Sequence, residues 1–303
     1  MPQLLLLGAG ASYGSESDKS LVPPLSVSLF DELMKFEPAL WKQIPKDVAD
    51  QFSRDFEQGW LALAEKMPGM QTHAQRSMAG FFFRFGPTKD SLYRKLARRI
   101  EKAKWPGALA TLNYERMLHL ALHSSGVPTF CGPRPNSFSG IELCLPHGCC
   151  HVFCDSVTGS AAAITMDGRA VNTNGPVIAV DEPREFWLRI RTQAFPLVMS
   201  YFEPSKFTTS GDNFIQEQRS RLQQLIVDAD KIAVIGVSVR DQDAHIWNSL
   251  AHATAPIYYC SGKSSKAAFE MWAERNRLAA SGDIVSEQYW VDDFDSVAKH
   301  LEL

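Results

Sequence analysis

A glycine-rich turn is the first segment of this sequence whose residue types could bind a ligand. It directly follows four leucines at positions 4–7 and reads Gly8-Ala9-Gly10-Ala11-Ser12. Small side chains let backbone N–H groups approach a flat or anionic group, and a strand that runs into such a turn is typical of dinucleotide-binding sheets, which hold a pyrophosphate there. The third glycine of that fingerprint is missing at its usual spacing, because Gly14 arrives late. A tight turn that serves only packing therefore remains the alternative.

Two polar side chains follow the next predicted strand. Residues 108–111 form a short run typical of a buried strand, and Asn113 and Glu115 come directly after it. Since ligand-binding groups of open α/β sheets lie just beyond the carboxyl ends of strands, we expect Asn113 and Glu115 to face a ligand. His147 stands farther along, in front of Gly148, and a neutral imidazole can accept a proton near pH 7. A lone histidine can equally be a structural residue.

Two groups of polar residues have spacings that could bind a metal ion. His119 and His123 lie one helical turn apart, but no third ligand accompanies them, so a solvated helix face explains them. Asp241, Asp243 and His245 lie at the start of a predicted helix. Carboxylates are favourable at a helix N-terminus without any metal, which explains this group too.

The cysteines give no metal-binding pattern either. Five of the six fall between positions 131 and 154, and in a chain of this size reduced thiols are expected. A structural zinc site usually joins ligand pairs from separate segments, whereas four of these thiols share one short segment: Cys144, Cys149, Cys150 and Cys154. We therefore predict that they hold no zinc, and we expect no metal in the protein.

The elements that must position these residues alternate between strands and helices. Buried strands are predicted over residues 4–7, 108–111, 231–235 and 256–260, with shorter strands over 161–165 and 177–180. Helices are predicted over residues 26–36, 116–123, 212–227, 244–252, 264–279 and 292–301. This alternation predicts an α/β fold with a Rossmann-like, doubly wound and mostly parallel sheet.

A smaller helical insertion is predicted at about residues 40–104, within a single domain that spans residues 1–303. Its helices are expected over residues 47–66, 71–85 and 91–104, separated by Pro68-Gly69 and Gly86-Pro87. The last of these helices is rich in lysine and arginine. It is either a solvated face or a docking surface for a partner or a phosphate.

Composition limits the function classes. The 303 residues are 45% hydrophobic and 21% charged, which is typical of a soluble globular protein, and a formal net charge of −3 disfavours nonspecific nucleic-acid binding. No apolar run is long enough to span a membrane. The leucine run lacks the basic residues and the length of a signal peptide, so a cytoplasmic location is expected.

Four motifs stand in order along the chain, and together they resemble the sirtuin-like NAD-consuming family, in particular its bacterial antiphage-defence branch. They are Gly8-Ala9-Gly10-Ala11-Ser12, Thr111-Leu112-Asn113-Tyr114-Glu115, His147-Gly148, and Gly236-Val237-Ser238 followed by Asp241 and Asp243. The resemblance covers residues 4 to about 260. It leaves out the helical insertion and the final helices.

The resemblance implies a role for each matching residue. Asn113 would contact the nicotinamide ribose of NAD, and His147 would be the catalytic histidine. Glu115 stands where the family has an aspartate, and its longer carboxylate can still accept hydrogen bonds. The other NAD contacts would come from the two glycine turns, the first at the phosphates and the second at the adenosine side: Gly8, Ala9, Gly10, Ala11 and Ser12, then Gly236, Ser238 and Asp241.

The same resemblance implies an NAD hydrolase that releases nicotinamide and ADP-ribose and acts as an NAD-depleting effector in antiphage defence. Sirtuin deacetylases carry two Cys-x-x-Cys pairs for zinc, and none occurs here, so NAD cleavage is favoured over peptide deacetylation. Two alternatives remain: a catalytically silent module that binds NAD or ADP-ribose, and an ADP-ribosyl transferase or cyclase that uses the same site. Because no sensor domain is recognisable, activation is expected from a partner protein or from homo-oligomer formation.

Overall fold

The computed structural model describes residues 3–132, 139–155, 164–166, 171–173, 175–193, 197–201, 208, 210–240, 243–277 and 282–303. The strands in these ranges are β1 (Gln3–Leu7), β2 (Ala108–Thr111), β3 (Thr129–Phe130), β4 (Ile141–Cys144), β5 (Val152–Cys154), β6 (Ile164–Met166), β7 (Val171–Thr173), β8 (Val177–Ala179), β9 (Lys231–Ile235), β10 (Ile257–Cys260) and β11 (Ile284–Ser286). The α-helices are α1 (Ala9–Gly14), α2 (Ser26–Phe36), α3 (Pro38–Trp41), α4 (Lys46–Arg54), α5 (Phe56–Lys66), α6 (Gln71–Phe83), α7 (Leu92–Ala103), α8 (Met117–Ser124), α9 (Pro183–Thr192), α10 (Asp212–Asp228), α11 (Ala244–His252), α12 (Lys263–Asn276) and α13 (Trp290–His300).

Seven strands form one parallel sheet in the order β11-β10-β9-β1-β2-β4-β3. Helices cover both faces, which is why the leucine run of β1 shows no polar alternation. Leu5 and Leu7 pack on one face of the sheet, and Leu4 and Leu6 pack on the other; none of them is more than 1% exposed. The predicted Rossmann-like, doubly wound sheet is confirmed.

The direction in which strands are added to the sheet reverses beside β1. Strands β2, β4 and β3 extend on one side of β1, whereas β9, β10 and β11 extend on the other. Leu222 of α10 and Ile246 of α11 pack with Leu4 and Leu6, while the helices around β2 pack on the opposite face. The carboxyl ends of β1 and β9 therefore form a topological switch point, which is where open α/β sheets bind ligands.

Glycines let the turns after β1 and β9 touch through their backbones. The N–H of Gly8 donates to the carbonyl of Ile235 at 2.9 Å, and the N–H of Gly10 donates to the carbonyl of Gly236 at 3.0 Å. Gly236 has a φ of +65°, and a Cβ at this position would lie 2.1 Å from the backbone nitrogen of Ala11. The contact therefore requires glycine at position 236.

Helices α2–α6 form a helical region whose hydrophobic residues join the cluster of Leu5 and Leu7. The prediction of one helix over residues 47–66 is wrong, because α4 and α5 are separate helices. The extended backbone of Asp55 interrupts the run, and its Oδ1 accepts hydrogen bonds from the N–H groups of Glu57 and Gln58 at 2.8 and 3.1 Å. This N-cap starts a new helix. The description of the region as an insertion within one domain stays a prediction.

The structure also contains elements that the sequence pattern does not predict. Strands β3 and β4 join the parallel sheet, β5 pairs antiparallel with β8, and β6 pairs antiparallel with β7; of these strands, β8 confirms the strand predicted over residues 177–180. Helix α9 and strand β11 are further additions. Strands β3 and β7, with two and three residues, are too short to show a clear periodicity. Of the predicted strand over residues 161–165, residues 161–163 lie outside the described residues and the rest belongs to β6.

Charged residues of helix α7 form exposed ion pairs. Arg99 of the basic helix α7 pairs with Asp295 of α13, and Lys104 pairs with Glu101 at the end of α7. Such exposed pairs contribute little to stability. A docking role for this helix stays a prediction. Among the helices of the described ranges, none has both the length and the apolar character that crossing a bilayer requires.

Gly236→Ala is expected to destabilise the fold by at least about 2 kcal/mol, because its methyl group meets the Ala11 backbone while φ remains left-handed. Gly14→Ala is the matched control, since no atom lies within 4 Å of its Cβ position. The control should change the free energy of unfolding by about 1 kcal/mol or less. Urea unfolding followed by circular dichroism measures both variants, and equal stabilities would contradict the backbone contact.

Candidate functional site

The side chain of Asn113 joins the carboxyl ends of β1 and β2. Its Nδ2 donates to the carbonyl of Gly8 at 3.0 Å, to Ser12 Oγ at 2.8 Å and, at 3.4 Å, to the hydroxyl of Tyr93. The residue is 5% exposed. Within the described residues no donor reaches its Oδ1. Asn113 is therefore held rigidly by its nitrogen, while its oxygen stays available to a ligand or a water.

Ser12 and Glu115 complete this buried network. Ser12 Oγ donates to Glu115 Oε1 at 2.5 Å and lies 2.8 Å from the hydroxyl of Tyr93. The other oxygen of Glu115 accepts from the N–H of Met117 at the start of α8. Burial raises the pKa of Glu115 to about 7, although the hydrogen bonds from Ser12 and Met117 act in the opposite direction. The carboxyl group thus titrates near neutral pH.

The N–H groups of the first glycine turn are mostly engaged within the protein. Those of Gly8 and Gly10 bind the β9 turn, as described above, and the N–H of Ala11 donates to the carbonyl of Gly8 at 2.9 Å. The Ala9 amide has no acceptor among the described residues. These glycines thus take part in packing between the two turns, and their contact with phosphates stays a prediction.

Strand β10 and Ser261, the residue that follows it, form hydrogen bonds with the second glycine turn. The N–H of Val237 donates to Ser261 Oγ at 3.1 Å, and the carbonyl of Val237 accepts from the hydroxyl of Tyr259 at 2.7 Å. Ser238, the next residue, is exposed. The predicted contact of Gly236 and Ser238 with the adenosine side stays a prediction, and Asp241 lies outside the described residues.

His147 lies beyond the carboxyl end of β4, where the chain turns at Gly148. A φ of +73° and a Cβ position only 2.1 Å from the carbonyl oxygen of Val198 explain the glycine that follows the histidine. His147 is 4% exposed, and its Nε2 lies 3.2 Å from Nε2 of His245 and 4.0 Å from Oδ1 of Asp243. The structure therefore brings His147 together with two residues near the start of α11.

Three of the side chains at the site, those of Tyr93, Asp243 and His245, carry little signal in the sequence. Tyr93 occupies a buried position of α7 and is a typical core residue by pattern, so nothing marks it as a partner of Ser12 and Asn113. His245 and Asp243 are visible as polar residues at a helix start. Their proximity to His147 depends on β4 and β9 delivering them to the same edge of the sheet.

The helical region packs against the segments that carry the site. The Glu57 carboxylate of α5 lies 4.0 Å from the Arg240 guanidinium, just after the second glycine turn. Trp60 of α5 packs on Tyr201 with ring centroids 5.4 Å apart, and Gln75 of α6 donates to the carbonyl of Met199. Helices α5 and α6 thus border the carboxyl edge of the sheet.

The four clustered cysteines do not share one location. Cys144 lies on β4 with the cluster of Leu4 and Leu6, and its thiol donates to the carbonyl of Gln218 at 3.1 Å. The other three pack in the cluster on the opposite face: Cys149, Cys150 and Cys154. These four residues therefore do not fit a four-cysteine zinc site of the kind found in sirtuin deacetylases. The absence of a metal from the protein stays a prediction.

A cavity of about 1070 Å³ lies next to Glu115. Arg116, His119, Cys149 and His151 also line it, and none of its described lining residues belongs to either glycine turn. Asp181 and His151 both lie beside His119 in the structure. They are two potential metal ligands near His119 that the local sequence did not reveal.

Comparisons with known proteins find similar solved structures. No family model matches the chain, and no curated protein matches it. One similar structure is a histidine-to-asparagine mutant of a Sir2 homologue in complex with ADP-ribose, at 13% identity and a TM-score of 0.48 over 99% of this chain and 91% of that chain. A Sir2 homologue in complex with NAD has 15% identity and a TM-score of 0.45 over 99% and 89% of the two chains. Sir2 bound to an acetylated peptide has 12% identity and a TM-score of 0.45 over 98% and 92%.

Glu115 makes the stability of the fold depend on pH. Its pKa is about 7 in the folded protein, against an ordinary value of 4.5. The folded state keeps a proton that the unfolded state loses between pH 4.5 and 7, so the free energy of unfolding falls as pH rises through this window. The contribution of this group is on the order of 3 kcal/mol and is fully lost above pH 7.

Glu115→Gln removes this titration while keeping the size of the side chain. The variant should gain stability relative to the parent as pH rises from 5 to 8, because only the parent then buries a charge. Urea unfolding of both proteins at intervals of half a pH unit measures the difference. A difference that stays constant with pH would contradict the raised pKa.

Proposed function

We propose that this chain binds NAD at the switch point between β1 and β9 and hydrolyses the nicotinamide glycosidic bond, which releases nicotinamide and ADP-ribose. The observation that carries the proposal is the buried Asn113 side chain, held by Gly8 and Ser12 with an oxygen that no described residue serves. The four ordered motifs that resemble the sirtuin-like family support the same substrate.

The chemistry requires positioning more than acid catalysis. Nicotinamide leaves a cationic ring as a neutral molecule, so it needs no strong general acid. The reaction needs an oxocarbenium-like ribose to be stabilised and a water to be directed at its anomeric carbon. Asn113 Oδ1 would accept a hydrogen bond from that water or from a ribose hydroxyl. Because Tyr93 and Ser12 hold the amide nitrogen, the oxygen would keep its direction throughout the reaction.

His147 would accept the proton that the attacking water loses. Its Nε2 faces Nε2 of His245 at 3.2 Å, so one of the two nitrogens carries the hydrogen and the other accepts it. This contact links the tautomers of the two rings. The carboxylate of Asp243, 4.0 Å from His147, would stabilise the positive charge that the ring gains.

A second candidate is a catalytically silent module that binds NAD or ADP-ribose. One observation favours it: the N–H groups of Gly8, Gly10 and Ala11 already serve packing. An ADP-ribosyl transferase or cyclase would use the same site, with a different acceptor in place of water. The products formed from NAD separate these activities.

Asn113→Ala and His147→Ala are each expected to lower NAD turnover by at least about 100-fold, because each removes positioning or proton transfer at the reacting bond. His123→Ala is the control, since His123 is exposed. Purified full-length protein is incubated with NAD, and nicotinamide, ADP-ribose and cyclic products are resolved by chromatography, with circular dichroism as the check on folding.

Turnover by both variants at the parental rate would contradict the assignment of the site. NAD binding by calorimetry without any turnover, under activating conditions, would favour the silent module. A cyclic product or an ADP-ribosylated protein in place of free ADP-ribose would favour the transferase or cyclase.

We further propose that the protein acts in the cytoplasm as an NAD-depleting effector of antiphage defence and is activated by a partner protein or by homo-oligomer formation. The resemblance to the defence branch supports this role. Unregulated NAD loss would be toxic to the host, so control of the activity is required.

The dilute purified chain is therefore expected to be weakly active, with specific activity that rises as the protein self-associates or as its partner is added. Measurement of NAD loss over a range of protein concentrations, combined with analytical ultracentrifugation, tests this. Rapid NAD depletion by dilute monomer alone would contradict control by assembly.

A further inference from the structure

Three potential metal ligands from separate segments meet at the wall of the cavity beside Glu115. They are His119 of α8, His151 before β5, and Asp181 between β8 and α9. One donor atom from each lies within 4.8 Å of the other two. Contrary to the expectation from the sequence that the protein holds no metal, we propose that these three side chains bind one Zn²⁺ ion, independently of the proposed NAD chemistry.

The donor set suits zinc. Two imidazoles and one carboxylate are ordinary zinc ligands, and three protein ligands with an open fourth position form a common type of site. Ligand atoms about 2.0–2.1 Å from a tetrahedral zinc lie roughly 3.3 Å apart. Here Nε2 of His119 is 2.9 Å from Oδ2 of Asp181, and Nε2 of His151 is 3.9 Å from Oδ1 of the same carboxylate. His119 and Oδ2 of Asp181 are thus close to the required spacing, and the donor atom of His151 lies within 4.8 Å of the other two.

His151 is the residue that points to a ligand. It is 3% exposed, and its Nε2 is too far from Asp181 for a hydrogen bond and has no other partner among the described residues. Because His151 lines the cavity, this nitrogen is open to a ligand that enters from there. A metal ion between His151 and Asp181 would satisfy this nitrogen.

Outer contacts orient two of the three ligands. Nδ1 of His151 lies 3.1 Å from the thiol sulfur of Cys149, so a hydrogen on Nδ1 would leave the Nε2 lone pair directed at the site. Arg116 donates to Oδ1 and to the backbone carbonyl of Asp181 at 2.9 and 3.2 Å. The guanidinium fixes the carboxylate through Oδ1, so Oδ2 remains for the metal.

The site is open to the cavity, and an ion bound there would connect separate segments of the chain. His119 and His151 line the cavity of about 1070 Å³, which supplies a path for the ion and room for a solvent ligand at the fourth position. The ion would connect α8 to the chain segments on either side of the small β5–β8 sheet. A structural zinc site usually joins separate segments of the chain, and these three ligands do so, whereas the four clustered cysteines share one short segment.

The test uses the full-length chain and Zn²⁺ alone. Protein purified without chelator is analysed for metal by mass spectrometry, and stripped protein is then titrated with Zn²⁺ by calorimetry. We expect about one zinc per chain in the parent. Zinc binding should weaken by about 10-fold or more in Cys149→Ala, which removes an outer contact, and further in His119→Gln and Asp181→Asn, which remove ligands.

Two control variants separate this site from its neighbours. His123→Gln changes the exposed histidine one turn from His119, and His245→Gln changes the cluster at His147. Both should bind zinc like the parent, and thermal unfolding without metal checks that every variant is folded. Three results would each overturn the proposal. The stripped parent could show no saturable zinc binding, His119→Gln and Asp181→Asn could bind zinc with unchanged affinity, or His245→Gln could lose zinc instead.

Discussion

The turns after β1 and β9 touch through their backbones, with Gly8 and Gly10 on one side and Gly236 on the other. Parallel strands can approach in this way beyond their carboxyl ends only if no side chain separates the two turns. The contact brings the start of α1 against β9 and fixes the direction in which Ser12 faces.

The network next to this turn links four buried polar side chains and leaves Oδ1 of Asn113 without a described donor. Ser12, Asn113 and Tyr93 exchange hydrogen bonds, and Glu115 accepts from Ser12 and from the amide of Met117. Burial still disfavours the ionised carboxylate, which raises the pKa of Glu115 to about 7. A group that titrates near neutral pH thus contacts Ser12, the residue that also accepts a hydrogen bond from Asn113.

The carboxyl edge of the sheet collects histidines into two separate sets. One unites His147 with Asp243 and His245, and the other unites His119 with His151 and Asp181. Only three residues lie between His147 and His151 in the chain, yet the turn at Gly148 directs the two side chains to different partners. The first set adjoins the second glycine turn, whereas the second set lines the cavity. Short loops on a rigid sheet can therefore support two chemically distinct sites.

The sequence by itself determined the fold class and where several of its polar groups would lie. The unbroken leucine run predicts a strand covered on both faces, and the strand–turn pattern predicts that Asn113, Glu115 and the two glycine turns lie at the carboxyl edge of a parallel sheet, as they do. These inferences succeed because burial periodicity and glycine conformation are local properties that one short segment expresses on its own.

Only the tertiary structure decided which side chains meet. Tyr93 contacts Ser12 across 81 residues of sequence, and His147 contacts His245 across 98. Asp181 completes the His119 set from a segment between β8 and α9 that carries no pattern of its own. Such contacts depend on strand order and on the path of crossover connections, and local periodicity holds no information about either. A polar residue in the sequence therefore marks a possible site, but its partners, its burial and its pKa are set by the assembled sheet.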